Sequence, residues 1–174
     1  MNIIKINDII YNTSIENERR FIGLYYEDIL FNYLQSIFND IEDVKIIHSS
    51  SINPHIPFDY LLTKNRTKYI IEVKSRIGVI TEHKYMYIDY RKLEEYKKLI
   101  EEYKNNGYDT IIIFIFQLIN NNNDNELNRY YYVIDYDNIK NDCKLSIVCS
   151  KKTYKLPINK INDFDELIKR IRMN

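Results

Sequence analysis

The chain has no tryptophan, three glycines, three prolines and two cysteines in 174 residues. With glycine this sparse, neither a Gly-rich phosphate loop nor a Gly-x-Ser-x-Gly elbow is present, so nucleoside-triphosphate hydrolysis and serine-type catalysis find no support. No internal repeat points to a solenoid or propeller. Cys143 and Cys149 lie six positions apart with no histidine close in sequence, which matches neither a zinc framework nor a disulfide scaffold and suggests reduced, structural thiols. His48, His55 and His83 form no helical His-Glu-x-x-His pattern and read as loop or surface residues. The longest apolar run, around Ile111 to Phe116, is far short of the ~20 residues that span a bilayer, and no charged-then-apolar leader opens the chain. The expectation is a soluble intracellular protein without a membrane partner, cytoplasmic or, if the host is a eukaryote or a virus, nuclear or in a viral factory. Neither sign of charge is in excess: 25 lysines and arginines balance 25 aspartates and glutamates. A net charge of zero argues against coating a polyanion by bulk electrostatics, because such affinity grows with the number of phosphates neutralised. Local patches remain at Arg19-Arg20, Lys64/Arg66/Lys68, Lys151-Lys152 and Lys169-Arg170/Arg172.

What is abundant is isoleucine, asparagine, lysine and tyrosine, the usage expected from an AT-rich genome. Hydrophobic residues at 45% and charged residues at 29% sit in the globular range, and the length suits one domain, 1–174, with a sizeable core. Seventeen tyrosines offer stacking surfaces, but Tyr130-Tyr131-Tyr132 reads more simply as a strand. Residues 120–128, rich in asparagine, read as a low-complexity loop.

Periodicity orders the elements. Thr13 with Glu16 three residues on forms a capping box for a helix to about residue 39, in which Gly23, Glu27, Leu30 or Phe31, and Leu34 recur at helical spacing. Glu27 then falls on a largely apolar stripe, and Gly23, one turn earlier, would permit close approach of a strand or a phosphate. Strands follow at 43–49, 57–63 and 68–79, with another at 85–88. Asp89 caps a helix over 90–105 whose Leu93, Tyr96, Leu99, Ile100 and Tyr103 make an apolar face, and Gly107 ends it. A buried strand at 110–118 can lie parallel to the third strand, since the helix between them supplies the crossover. Further strands at 130–135 and 145–149 and a short basic helix capped by Asp163 or Asp165 read as decoration.

The chemistry concentrates in the segment from Pro57 to Arg76. Two strand-like runs flank Lys64-Asn65-Arg66-Thr67, and a two-residue loop at Asn65-Arg66 pairs Lys64 with Thr67 and, counting outward, Asp59 with Glu72. Directly opposed residues have Cβ atoms about 4.5–5.5 Å apart, so both carboxylates reach one divalent cation, which would offset their repulsion. Period two places Ile70, Glu72, Lys74 and Arg76 on one face and Tyr69, Ile71 and Val73 on the other. The apolar bracket around Glu72 argues against a merely solvated charged stripe, because ionised groups enter such strands when paired or metal-bound.

Asp59 followed by Glu72-Val73-Lys74 on a hairpin resembles the PD-(D/E)xK nuclease superfamily, over residues 14–118, with Phe58 standing between the proline and aspartate that are normally adjacent. The Gly23-x-x-x-Glu27 spacing in the leading helix is similar to that superfamily as well. The resemblance implies a restriction-endonuclease-like αβββαβ core with a mixed central sheet flanked by helices, elaborated over 129–174 by extra strands and a short helix. It implies an Mg²⁺-dependent DNA endonuclease of restriction, junction-resolving or repair type, with Mn²⁺ able to substitute, acting as a homodimer. Asp59, Glu72 and the Val73 carbonyl would hold the metal, Glu27 a second ion or a metal-bound water, and Lys74 would orient the attacking water. Arg76, Arg91 and Lys92 would contact phosphates. The alternatives are a catalytically silent nucleic-acid-binding or assembly module of the same fold, and an RNA-cutting enzyme.

Overall fold

The computed structural model describes residues 3–6, 9–12, 14–49, 58–77, 83–120, 126–135, 139–148 and 150–173. An antiparallel hairpin of β1 (Ile3–Ile6) and β2 (Ile9–Asn12) leads into α1 (Glu16–Phe38). The chain continues through β3 (Val44–His48), β4 (Tyr60–Lys64), β5 (Thr67–Ile77) and β6 (Tyr85–Asp89) to α2 (Tyr90–Asn105), then β7 (Asp109–Asn120) and β8 (Glu126–Val133). A short α3 (Ile139–Asp142), β9 (Lys144–Val148), β10 (Lys151–Pro157), a 3-10 turn at Ile158–Lys160, β11 (Asn162–Asp163) and α4 (Phe164–Met173) complete it.

Six strands make the main sheet, in the order β11-β8-β7-β5-β4-β3, with β5 and β7 parallel and the remaining neighbours antiparallel. The mixture follows from connectivity. Asn65, at φ 52°, takes a left-handed conformation that asparagine tolerates, and it closes the tight β4–β5 hairpin. Joining β5 to a parallel β7 requires a crossover, supplied by α2, which starts where Asp89 accepts the Arg91 N–H at 2.8 Å and ends at Gly107, φ 79°. β7, buried from Ile112 to Ile119, is apolar there apart from Gln117, as expected of a strand covered on both faces.

The period-two alternation of β5 divides the core. Tyr69, Ile71 and Val73 pack with Ile113 and Ile115 beneath Leu30, Leu34 and Phe38 of α1 and Phe164, Leu167 and Ile171 of α4. Ile70 packs on the opposite face with Phe114 and Phe116 against Leu93 and Tyr96 of α2. That layer also receives Met86, Ile88, Tyr154 and Leu156 from a second sheet, ordered β6-β10-β9.

The structure revises several expectations. The predicted capping residue Thr13 lies outside the described residues, as do Pro57, His55 and Cys149; α1 begins after Ile15, which makes no side-chain cap, and Glu16 is exposed. Glu18, rather than Glu16, reaches back, accepting the Asn12 N–H and tying α1 to β2. The predicted loop at 120–128 is shorter at both ends, since β7 extends to Asn120 and β8 begins at Glu126. The C-terminal elements are integral: β8 pairs with β7 from Ile113↔Val133 to Asn120↔Glu126, and α4 closes the α1 side of the core. Lys64, only 9% exposed, donates from Nζ to the Ile171 and Arg172 carbonyls at 2.8 Å each, satisfying the end of α4.

Candidate active site

The hairpin register matches outward counting from Lys64↔Thr67 to Tyr60↔Ile71. The ladder stops there, so Asp59 and Glu72 are not a ladder pair. Asp59 instead donates its N–H to the Ile71 carbonyl at 3.0 Å, and its Oδ2 accepts the Val73 N–H at 2.6 Å. That bond fixes the carboxylate at the mouth of the hairpin and lowers its proton affinity. Burial and then the charge of Glu72 outweigh it, pushing the Asp59 pKa up to about 6.

Glu72 is wholly buried in β5 and is the hub of the site. Its Oε1 accepts from both Lys74 Nζ and Lys92 Nζ, and its Oε2 accepts the Tyr96 hydroxyl at 2.9 Å. A carboxylate in an apolar strand is stable only with such partners. Lys74 lies on the same strand face two residues on, whereas Lys92 and Tyr96 come from the first two turns of α2. Sequence reasoning placed Lys92 on phosphate; in the structure it pairs with Glu72, and although burial lowers its pKa, the charges of Glu72, Asp59 and Glu27 outweigh this and raise it. By spacing Tyr96 belongs to the apolar face of α2, and nothing in that spacing marks its polar role.

Glu27 arrives from α1. The buried stripe of that helix is Ile22, Tyr26, Leu30, Leu34 and Phe38, so Glu27 flanks it, half-buried. Two side chains of the sheet grip the helix at this point: the Tyr60 hydroxyl donates to the Glu27 carbonyl at 2.5 Å, and Gln117 Nε2 donates to the Tyr26 carbonyl at 3.0 Å. Gln117 is itself held, accepting Arg129 Nε at 3.0 Å and donating to Ser75 Oγ at 3.3 Å. Burial first, and then the charge of Asp59, push the Glu27 pKa up to about 8, with Lys74 opposing. Glu27, Asp59, Glu72, Lys74 and Lys92 thus lie within one electrostatic neighbourhood, drawn from α1, the hairpin and α2.

The fold that carries these residues is found elsewhere. A Holliday junction resolvase, Hjc, from the hyperthermophilic archaeon Archaeoglobus fulgidus is similar over 84% of this chain and 95% of that one, at 13% identity and a TM-score of 0.53. The chain has the restriction-endonuclease-like nuclease fold. A nuclease from a fusselovirus is similar over 91% of this chain and 93% of that one, with 15% identity and a TM-score of 0.49. No protein-family model matches the chain, and no curated protein matches it.

In this nuclease fold the remaining sequence-predicted residues fall as follows. Arg76 is exposed on β5 two residues beyond Lys74, and Arg91 is exposed in the first turn of α2. Gly23 is not a point of contact between helix and strand: a Cβ added there meets nothing within 4 Å. Among the described residues, no three acidic, histidine or cysteine side chains form a closed metal cage. The donors nonetheless suit a hydrated divalent cation. Asp59 and Glu27 are hard oxygen donors whose pKa values are raised first by burial and then by a neighbouring carboxylate, and a Mg²⁺ ion that keeps most of its waters needs only one or two carboxylates. Among the described residues, no helix is long and apolar enough to cross a membrane.

Proposed function

We propose that the protein is a divalent-metal-dependent nuclease that hydrolyses phosphodiester bonds of DNA. The observation that carries this reading is the meeting of Glu27 of α1 with Asp59, Glu72 and Lys74 of the hairpin in one electrostatic neighbourhood of a nuclease fold. Glu27 and Asp59 would hold Mg²⁺ or Mn²⁺, joined by the Val73 carbonyl and by Glu72 once a lysine leaves its Oε1. The cation would supply charge neutralisation at the phosphoryl oxygens and a polarised water. Lys74 Nζ, which donates to Glu72, would stabilise developing negative charge and orient the nucleophile. Glu27 holds a proton at neutral pH while its pKa stays near 8 and would lose it when positive charge approaches, leaving a carboxylate to hold the ion or one of its waters. Lys92 would orient Glu72 through its bond to Oε1, and Arg76 and Arg91 are candidates for phosphates beside the scissile bond.

The similarity to a junction resolvase makes branched DNA the first substrate to try, and two cuts in a duplex would call for a homodimer. A second reading has its own observation. Glu72 is already saturated by Lys74, Lys92 and Tyr96, as in a silent module whose charges have been neutralised internally. Incubation with four-way junction, plasmid, single-stranded DNA and RNA, with Mg²⁺, Mn²⁺ or chelator, separates the readings. A nuclease cuts with metal and loses cutting in the folded variants Asp59→Asn and Lys74→Met. A silent module binds without cutting in any metal, and preference for RNA moves the substrate to the other nucleic acid.

A further inference from the structure

Beside the proposed active site, an open cleft of about 940 Å³ runs between the N-terminal half of α1, the end of β5 and the start of β10. In a chain with no net charge, Arg19, Arg20, Arg76 and Lys151 line it against one carboxylate, Glu16. All four cations are exposed, and among the described residues none of them forms an ion pair.

The cleft continues the site. Arg20, Gly23 and Glu27 lie at i, i+3 and i+7, hence on one face of α1, with Gly23 about 6 Å and Arg20 about 10 Å along the axis from Glu27. Arg76 stands two residues beyond Lys74, about 7 Å along β5 on the same face. The two elements that carry Glu27 and Lys74 therefore carry cations away from the site in the same direction. Gly23 lies between them with open space where a side chain would stand. Cations strung along an open groove, rather than converging on one point, suit a linear polyanion better than a small anion, and no aromatic side chain lines the groove to stack on a base.

Resting on the nuclease reading above, we propose that this cleft is the channel for the phosphodiester backbone on one side of the scissile bond, with Arg20, Arg76 and Lys151 on successive phosphates and Gly23 leaving room for the strand. Such a channel holds the backbone without reading sequence.

The test uses fluorescently labelled four-way junctions and duplexes of unrelated sequence, bound in Ca²⁺ to separate binding from cutting. The double variant Arg20→Ala/Lys151→Ala should bind about tenfold or more weakly at low salt, equally for every sequence. Its slope of log K against log salt should be shallower by about 1.4–1.8, the loss of two phosphate contacts. Gly23→Leu should keep or raise the melting temperature, since it fills open space on a helix, yet weaken binding. Lys98→Ala, exposed on α2, is the control. If the wild type cuts DNA but both cleft variants retain its affinity and slope, the channel is wrong and the nuclease reading stands. A loss confined to one sequence also overturns the backbone channel. A wild type that neither binds nor cuts any of these substrates overturns the nuclease reading and the channel with it.

Discussion

Glu27→Gln should flatten the dependence of stability on pH. In the folded protein the Glu27 carboxyl has a pKa of about 8 against an ordinary 4.5, because burial and the charge of Asp59 disfavour its ionised form. Below pH 4.5 the group is protonated folded or unfolded, and its contribution is fully present. Between pH 4.5 and 8 the unfolded chain gains by ionising while the folded chain does not, so stability falls as pH rises; above 8 the loss is complete and the curve levels. At about 1.4 kcal/mol per pH unit the ceiling is about 5 kcal/mol, and solvent reaching this half-buried group reduces it to about 3 kcal/mol. Glutamine keeps the shape and cannot titrate. The variant and the wild type should therefore be equally stable near pH 4.5 and separate steadily until the variant leads by about 3 kcal/mol at pH 8, roughly 6–12 °C in melting temperature for a chain of this size. Asp59, with its pKa raised from 3.8 to about 6, adds a loss of its own between those values, but burial and Glu72 cause it and Glu27 is not among its sources, so it cancels in the comparison. Mg²⁺ competes with the proton for the same oxygens. It should stabilise the wild type more at pH 8 than at pH 5, and Glu27→Gln less than the wild type at pH 8. The assay is chemical denaturation from pH 4.5 to 8.5 in chelator, then with Mg²⁺. Parallel profiles for wild type and variant across that range would refute the placement of Glu27 against Asp59.

Three further substitutions probe how the site is held. Tyr60→Phe removes the hydroxyl on the Glu27 carbonyl; it should cost about 1 kcal/mol and lower kcat with little change in KM, and an unchanged kcat in steady-state cleavage would reduce that bond to a purely structural one. Tyr96→Phe leaves the buried Glu72 Oε2 without its hydroxyl donor and should cost about 1–3 kcal/mol by urea denaturation, a loss that water cannot replace in so buried a place. Lys64→Met strips two hydrogen bonds from the end of α4 and should cost about 2 kcal/mol while hydrogen exchange in α4 quickens; unchanged exchange there would show that packing alone seats the helix.

Asp59, Glu72 and Lys74 were legible in the sequence because a tight turn and a period of two are local rules: counting outward from Asn65-Arg66 fixes the register, and parity fixes the face. The ladder ends one residue short of Asp59, so the two carboxylates do not face each other as the counting implied, yet the charge of Glu72 still reaches Asp59. Glu27 was legible only approximately. The true apolar stripe runs through Tyr26 and Leu30, and the displacement of one position is what leaves the Glu27 carboxylate on the flank, free to turn toward the hairpin. Tyr60, Tyr96 and Gln117 were not legible, because each occupies a position where periodicity asks only for a buried side chain. Their polar atoms bond to groups far along the chain: Tyr60 to Glu27, Tyr96 to Glu72, Gln117 to Tyr26. The hairpin of β1 and β2 escaped for a different reason: Asn7-Asp8 is a turn-prone pair, but the four-residue strands on either side carry too little pattern to be read as strands. β10 escaped because lysines interrupt an alternation in which only Tyr154 and Leu156 are buried. The same division separates the identity of the acids from their chemistry. Local spacing can name Glu27 as a candidate, but its pKa near 8 depends on burial and on Asp59, a residue brought beside it only when α1 packs on the sheet.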